Sequence, residues 1–94
     1  RSSPNAALRF QCALALANIG TPAVVDALID GLGDKDVSVR VECKNGLSRV
    51  LPEEYLEFNP YGSAATRREQ IRIIRKWWDE NREEILKKYS EGTR

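Results

Sequence analysis

Histidine is absent from the 94 residues, and its absence removes the side chain that most often serves as general base and metal ligand. It also excludes pairs of serine or cysteine with histidine as nucleophiles. The adjacent acids Glu53-Glu54 and Asp79-Glu80 point in different directions on a helix, and no glycine-rich phosphate loop follows a strand. The sequence therefore predicts a protein that is not an enzyme and that holds no cofactor and no metal.

Cysteine is scarce, and the two residues present, Cys12 and Cys43, are too far apart in sequence for a C-x-x-C motif. At equivalent positions of neighbouring helices they would lie about 8–10 Å apart. A disulfide allows a Cα separation of roughly 7 Å at most. We therefore expect each to be a small buried hydrophobic side chain, with a redox pair as the alternative.

Long apolar runs and an excess of charge of one sign are also missing. No run approaches the roughly 20 residues of a membrane span, so no membrane contact is predicted. Fifteen Lys and Arg against 14 Asp and Glu leave a net charge of +1, which gives no bulk attraction to nucleic acid or anionic membranes.

Methionine is absent and the chain begins in the middle of the repeat pattern, so we expect part of a longer protein. The compartment stays open, with the cytoplasm as the expectation.

What the sequence does contain is a repeat. NAALRFQCALALANIG (residues 5–20) returns 31 residues later as DVSVRVECKNGLSRVL (residues 36–51). Apolar residues at i, i+4, i+8 and i+11 predict amphipathic helices that bury one stripe. The stripes are Leu8, Cys12, Leu16 and Ile19 in the first helix, and Val39, Cys43, Leu47 and Val50 in the second. Strand-like alternation is absent, so the sequence predicts an all-α chain.

Capping residues predict where the N-terminal helices begin and end. Ser3 and Pro4 predict the start of the first helix as N-cap and first helical residue, and Gly20 predicts its left-handed end. Thr21 and Pro22 repeat this device before a shorter helix. The apolar residues of that helix are Val24, Val25, Leu28, Ile29 and Leu32.

The C-terminal third reads as a loop followed by a helix. Residues 51–66 contain Asn-Pro and Gly-Ser pairs and predict a loop with a short helical turn. Residues 67–90 predict one helix, or two if Asn81 interrupts it. Thr66 fits a capping box, and Ser63 competes with it as the cap. The apolar stripe of this helix is Ile71, Ile74, Trp78, Ile85 and Tyr89.

A third, weaker copy of the repeat appears at an offset of 27, where residues 63–67 align with residues 36–40 and 5–9. Each copy begins with a capping residue, and an arginine follows four places later. We expect Arg9, Arg40 and Arg67 to donate hydrogen bonds into the inter-repeat turns, where an acid such as Asp36 is available. They would then form a stabilising ladder.

At these residues the chain resembles HEAT repeats, of the short type also found in phycobilisome-lyase-like proteins. Residues 21–50 resemble a complete two-helix unit, and residues 4–20 resemble the second helix of a truncated unit. Residues 67–90 are similar to tryptophan-containing terminal units of some HEAT proteins. The resemblance implies one domain over residues 1–94, a right-handed α-α superhelix of two to three repeats. We expect Trp77 and Trp78 to close its core, with a stacking platform as the alternative.

The resemblance also implies a protein-interaction scaffold whose partner binds the concave face lined by the second helices. With about 100° of rotation per residue, positions 1, 2, 5 and 9 after each arginine point away from the core. The partner-binding residues predicted in this way are Phe10, Gln11, Leu14, Asn18, Val41, Glu42, Asn45, Arg49, Arg68, Glu69, Arg72 and Lys76.

Two other functions stay open at this point. Residues 67–94 hold nine Lys and Arg against six Asp and Glu, and this positive charge would suit binding to nucleic acid. Arg75–Asp79 and Lys76–Glu80 pairs on a solvated helix would neutralise part of it. A lyase-type accessory role, in attaching or removing tetrapyrroles, is implied more distantly by the resemblance. We also expect self-association or helix exchange through exposed apolar surface on the first helix, around Leu8, Phe10, Ala13 and Leu14.

Overall fold

Four α-helices and two single 3₁₀ turns form the chain in the computed structural model, which describes residues 5–92. The α-helices are α1 (Ala6–Ile19), α2 (Val25–Gly31), α3 (Val37–Leu47) and α4 (Ala64–Gly92). The 3₁₀ turns are Pro22–Val24, directly before α2, and Glu53–Tyr55, in the segment that leads to α4. No strand occurs within the described residues, and the predicted all-α class is confirmed.

Three of the helices begin at the capping residues of the repeat. Asn5 Oδ1 accepts hydrogen bonds from two backbone N–H groups in the first turn of α1. Asp36 Oδ1 accepts from the Ser38 N–H at 2.9 Å, and Ser63 Oγ accepts from the Thr66 N–H at 3.1 Å. Ser63, and not Thr66, therefore caps α4. Ser3 and Pro4, which were predicted to open α1, lie outside the described residues, and Asn5 is the N-cap.

The turn between α1 and α2 forms at the predicted residues, although Thr21, at the N-cap position, makes no side-chain capping hydrogen bond. Gly20 has φ 66° and ends α1 in the left-handed conformation, which glycine adopts without steric cost. Pro22 then occupies the first position of the 3₁₀ turn that leads into α2.

The core lies between α2, α3 and α4. All five apolar residues predicted for the second helix are buried, as are Val39, Cys43 and Leu47 of α3. α3 ends at Leu47, so Val50 lies in the following turns and is only partly buried. Residues from the irregular segment after α3 complete the core, and the sequence did not predict them. They are Leu51, Leu56 and Phe58.

The first helix buries a different face from the predicted one. Its buried residues are Arg9, Ala13 and Ala17, whereas Leu8 is 55 % exposed and Ile19 54 % exposed. The small face lies against α3, where a Cβ built on Gly46 would be 2.8 Å from the Ala17 Cβ. Only small side chains allow two helix backbones to approach this closely, so they are buried in place of the larger stripe. Cys12, on that stripe, is exposed, which corrects the expectation that it is buried.

The last helix is continuous from Ala64 to Gly92, so Asn81 does not interrupt it. It runs antiparallel to α2, because Arg75 pairs with Asp30 and Arg82, farther along α4, pairs with Asp26. Ile74 and Trp78 are buried, and Ile71 and Ile85 pack partly against the core. Tyr89, at the end of the predicted stripe, is 43 % exposed. Among the described residues, no helix is both long and apolar enough to span a bilayer.

Candidate interaction surface

The turn between α2 and α3 is fixed by arginines from two successive repeats. Arg9 donates from Nε to Asp34 Oδ2 at 2.8 Å and from Nη2 to Oδ1 at 3.2 Å. Arg40 donates from Nη1 to the carbonyl oxygen of the same residue, Asp34, at 2.8 Å. Asp34 also accepts from the Asp36 N–H at 2.8 Å. One aspartate therefore joins both arginines to the turn.

The other contacts of the ladder are made to backbone carbonyl groups. Arg40 Nε donates to the Pro60 carbonyl at 2.9 Å, and Arg67 Nε donates to the Gly62 carbonyl at 3.0 Å. The prediction that all three arginines bond into the inter-repeat turns is confirmed. The acid that meets them is Asp34 and not Asp36, because Asp36 caps α3.

Hydrogen bonds at the N-cap of α3 also lower the pKa of Asp36. The Ser38 hydroxyl and backbone N–H both donate to the Asp36 carboxylate and hold its pKa below the ordinary value. A carboxylate that accepts such bonds is stabilised in its charged form. This favours the start of α3 at neutral pH.

The predicted partner-binding residues differ in how exposed their side chains are. Eight are exposed: Gln11, Asn18, Asn45, Arg49, Arg68, Glu69, Arg72 and Lys76. Four are only half-exposed: Phe10, Leu14, Val41 and Glu42. Phe10 packs against the core, so the expectation that it lies fully on the outer face is wrong. The polar members of the set are therefore more accessible than the apolar ones.

A contact joins the predicted residues of the first two units. Arg49 donates from Nη1 to the Ala17 carbonyl at 2.6 Å and to Asn18 Oδ1 at 3.3 Å. The guanidinium thus lies at the carboxyl end of α1, where the helix dipole favours a cation. Arg49 also lines a cleft of about 400 Å³ whose other cationic residue is Lys88 of α4.

Three of the four predicted residues on α4, Glu69, Arg72 and Lys76, pair within their own helix. Arg72 donates two hydrogen bonds to Glu69, at 3.1 and 2.6 Å, which lower the pKa of Glu69 and raise that of Arg72. Lys76 pairs with Glu80 at 2.6 Å, as predicted. Within residues 5–92, no hydrogen bond or ion pair joins the α4 set to the sets on α1 and α3.

Two arginines of α4 bind α2 and not their own helix. Arg75 pairs with Asp30 at 2.5 Å, so the predicted Arg75–Asp79 pair is wrong. Arg82 lies 2.9 Å from both Asp26 and Asp79. The sequence does contain a signal for these pairs. The acids Asp26 and Asp30 lie one turn apart on α2, and Arg75 and Arg82 lie two turns apart on α4, so each pair of residues falls on one face of its helix.

The two tryptophans are engaged in packing. Trp78 is buried, donates from Nε1 to Asp26 Oδ1 at 3.1 Å, and has the Arg82 guanidinium 5.5 Å from its ring centroid. Trp77 stacks on Tyr55, with ring centroids 4.5 Å apart and an interplanar angle of 16°. The prediction that both close the core is confirmed, since Trp78 is buried and Trp77 packs partly against the core with Tyr55 stacked on its ring.

A groove of about 580 Å³ runs between α1 and α2, and both cysteines line it. Both are free thiols, Cys12 exposed and Cys43 buried. Burial raises the pKa of Cys43 to about 12, and the nearby carboxylates of Asp34 and Glu42 add to this effect. Cys43 is therefore a thiol at neutral pH and a poor nucleophile. No cluster of metal-ligating side chains lies within the described part of the chain.

The comparisons with known proteins identify the type of repeat. Residues 8–34, which comprise most of α1, the turn at Gly20 and all of α2, match the family described as PBS lyase HEAT-like repeat. No curated protein and no solved structure gives a significant match. Together with the all-helical fold, this match confirms the predicted resemblance: residues 8–34 of this all-α chain are similar to a PBS lyase HEAT-like repeat.

Proposed function

We propose that the chain is a non-enzymatic module that binds a protein partner on the face formed by α1, α3 and the first turns of α4. The HEAT-like repeat supports a helical interaction module as the general class. The contact from Arg49 to Asn18 carries the choice of face, because it places predicted residues of two repeats on one continuous surface. A partner that bridges two helices needs such a surface.

The chemistry of this surface favours a polar, anionic partner segment. Its exposed members are Gln11 and Asn18 on α1, Asn45 on α3, and Arg49 in the turn that follows α3. Three amides offer both donors and acceptors, and an arginine is the residue type most suited to bidentate recognition of a carboxylate. Arg49 donates hydrogen bonds to a backbone carbonyl and to an amide oxygen, both of which are neutral, so its charge can attract an acidic side chain from the partner.

A charge-reversal pull-down tests this face. The immobilised wild-type chain and the double variant Arg49→Glu/Lys76→Glu are incubated with an extract of the source cells, and retained proteins are identified by mass spectrometry. The variant Lys35→Glu/Lys87→Glu is the matched control, since it changes the net charge equally at exposed residues outside the face. Circular dichroism verifies that each variant is folded.

The expected result is a partner that the wild type and the control retain and that the face variant loses. Retention by the face variant at the wild-type level would show that the chosen face is wrong. A photo-crosslinking residue at position 45 should label the same partner, whereas one at position 87 should not.

Nucleic-acid binding by α4 is a weaker candidate in view of the ion pairs. Arg72, Arg75, Lys76 and Arg82 each have a carboxylate within 3 Å, which reduces the charge available to phosphates. A nucleic-acid function requires an affinity for DNA or RNA that falls about 10³-fold or more between 50 and 200 mM salt. A lyase-type accessory role is the third candidate, and an absorbance change on mixing with a bilin would support it.

A further inference from the structure

A cleft of about 400 Å³ lies where three separate segments of the chain meet. Gly20 and Pro22 come from the turn between α1 and α2, and Arg49 and Val50 come from the turn after α3. The C-terminal part of α4 forms the third side. The cleft shares no lining residue with the groove of about 580 Å³ between α1 and α2, so it is a separate site.

The uncharged part of the lining is largely apolar. Pro22 is buried, and Val50 and Ile85 pack partly against the core. Ile85 and Tyr89 lie four residues apart on α4 and therefore share one face of the helix. An aliphatic or aromatic side chain that enters the cleft would lose contact with water on these surfaces, and this loss favours binding.

Both charged residues that line the cleft, Arg49 and Lys88, are cations. Arg49 is oriented by its hydrogen bonds from Nη1 to the Ala17 carbonyl at 2.6 Å and to Asn18 Oδ1 at 3.3 Å. A guanidinium also has N–H donors on its other two nitrogens, and for Arg49 these meet no acceptor among residues 5–92. An oriented arginine with such donors is suited to binding a carboxylate.

Lys88 is weakly engaged within the chain. Its ion pair with Glu84, one turn earlier on α4, has an Nζ–Oε2 distance of 3.9 Å, and the two side chains are 76 % and 68 % exposed. Exposed pairs of this kind contribute little, because both ions remain solvated. Lys88 can therefore turn toward an anion in the cleft without losing a strong interaction.

We propose that this cleft binds a segment of the protein partner in which an aspartate or glutamate adjoins a large apolar residue. The carboxylate accepts hydrogen bonds from Arg49 and Lys88, and the apolar side chain packs against Val50 and Ile85. Because both cations are exposed, a chain can pass across the cleft, and the acid need not be a chain terminus. The inference rests on the proposed function, since Arg49 belongs to the predicted face, and it adds Lys88 as a residue that sets the partner's chemistry.

Amide NMR of the whole chain tests the cleft directly. The probes are hexapeptides with blocked termini of the form Gly-Ser-Glu-Leu-Ser-Gly, together with versions that carry Asp for Glu and Ile or Phe for Leu. Peptide-induced shifts should be confined to amides of the cleft, such as those of Gly20, Val50 and Lys88. We expect dissociation constants of roughly 1 mM, because a contact made by two side chains supplies little binding free energy.

Lys88→Glu and Lys87→Glu are matched variants. Both residues are exposed and both follow a glutamate by four positions, but only residue 88 lines the cleft. Lys88→Glu should weaken peptide binding by about fivefold or more, whereas Lys87→Glu should leave it unchanged. Glutamine in place of the peptide's acid should weaken binding by about tenfold, because the interaction with both cations is lost. Serine in place of its leucine should weaken binding by about tenfold as well.

Three results in this titration would overturn the proposal. The first is the absence of shifts at the cleft with millimolar peptide, and the second is equal peptide affinity of the Lys88→Glu and Lys87→Glu chains. The third is a set of shifts at the cleft that grows with the concentration of the chain alone, which would make a second copy the occupant. The spectrum of each variant also shows whether it is folded, which is expected because residues 87 and 88 are exposed.

The pull-down described above separates this inference from the proposed function when Lys88→Glu and Lys76→Glu are added to it as single variants. A partner that is retained by Lys88→Glu but lost by Lys76→Glu would overturn the cleft and leave the face standing. A partner that is lost by Lys88→Glu but retained by Lys76→Glu would support the cleft and contradict the assignment of α4's first turns to the face.

Discussion

Removal of the Asp34 carboxylate should destabilise the chain strongly, because this carboxylate pairs with the buried guanidinium of Arg9. The Arg9 and Asp34 side chains are 8 % and 13 % exposed and share two hydrogen bonds. Loss of one partner from a buried ion pair costs about 3–5 kcal/mol, and we expect the lower end because the pair borders a groove. Asp34→Ala also removes the hydrogen bond from the Asp36 N–H, which contributes about 1 kcal/mol. The expected loss of about 4 kcal/mol is a large part of a total stability of roughly 5–15 kcal/mol.

Urea unfolding at pH 7, followed by tryptophan fluorescence, measures this loss. Glu80→Ala is the matched control, because it breaks the Lys76–Glu80 pair, whose side chains are both more than half exposed. Exposed pairs contribute about 0.2–1 kcal/mol. The double variant Arg9→Leu/Asp34→Ala should recover part of the loss, since it removes the buried guanidinium together with the carboxylate that pairs with it. Equal destabilisation by Asp34→Ala and Glu80→Ala would refute the role assigned to the ladder.

Three further predictions concern packing, thiol reactivity and pH. Gly46→Ala should lower the free energy of unfolding by about 1–3 kcal/mol, because the Cβ of the new alanine would press on Ala17 in the backbone of α1. Thermal unfolding measures this loss, which should outweigh the better helix propensity of alanine. In the native protein Cys12 should be alkylated at neutral pH while Cys43, whose pKa is about 12, stays unmodified until urea unfolds the chain, as mass spectrometry would show. Hydrogen bonds from Ser38 lower the pKa of Asp36, so its contribution to stability is present above the unfolded value of 3.8 and is lost as the pH falls through the folded pKa. The difference in urea stability between the wild type and Asp36→Ala should therefore shrink when the pH is lowered below 3.8.

The features that could be predicted from sequence are those that local chemistry determines. The caps at Asp36 and Ser63 were visible because a side-chain oxygen before a helix can accept from its first N–H groups, whereas the cap of α1 was predicted at Ser3 and is Asn5. The left-handed end of α1 was visible because Gly20 is the residue suited to it. The arginine ladder was visible because its spacing repeats, although the acid that binds Arg9 depends on how the turn folds.

The features that could not be predicted depend on contacts between distant segments. Leu56 and Phe58 enter the core from a segment without helical periodicity, so helical periodicity could not indicate that they are buried. The partner of Arg75 lies 45 residues away on α2, whereas the prediction considered only neighbours on the same helix. The partner-binding face depends still more on distant contacts, since it requires the relative positions of α1, α3 and α4.

The misassigned face of α1 has a specific physical origin. Hydrophobic periodicity weights large residues, and it therefore selected the stripe through Leu8 and Leu16. Packing between adjacent helices also depends on how closely the backbones approach, and against Gly46 of α3 that criterion selects Ala17. α3 shows that both criteria can be met on one helix, because its large stripe lies under α2 while its glycine lies against α1.

A helix with two apolar faces is therefore suited to two neighbours. α1 has the small face that α3 occupies and the large stripe whose counterpart on α3 is covered by α2. A surface helix with a single neighbour needs only one such face and carries charges on the remainder, and α1 has no exposed charge. The second face thus has the composition of a contact surface, and Leu16 on it packs partly against the core.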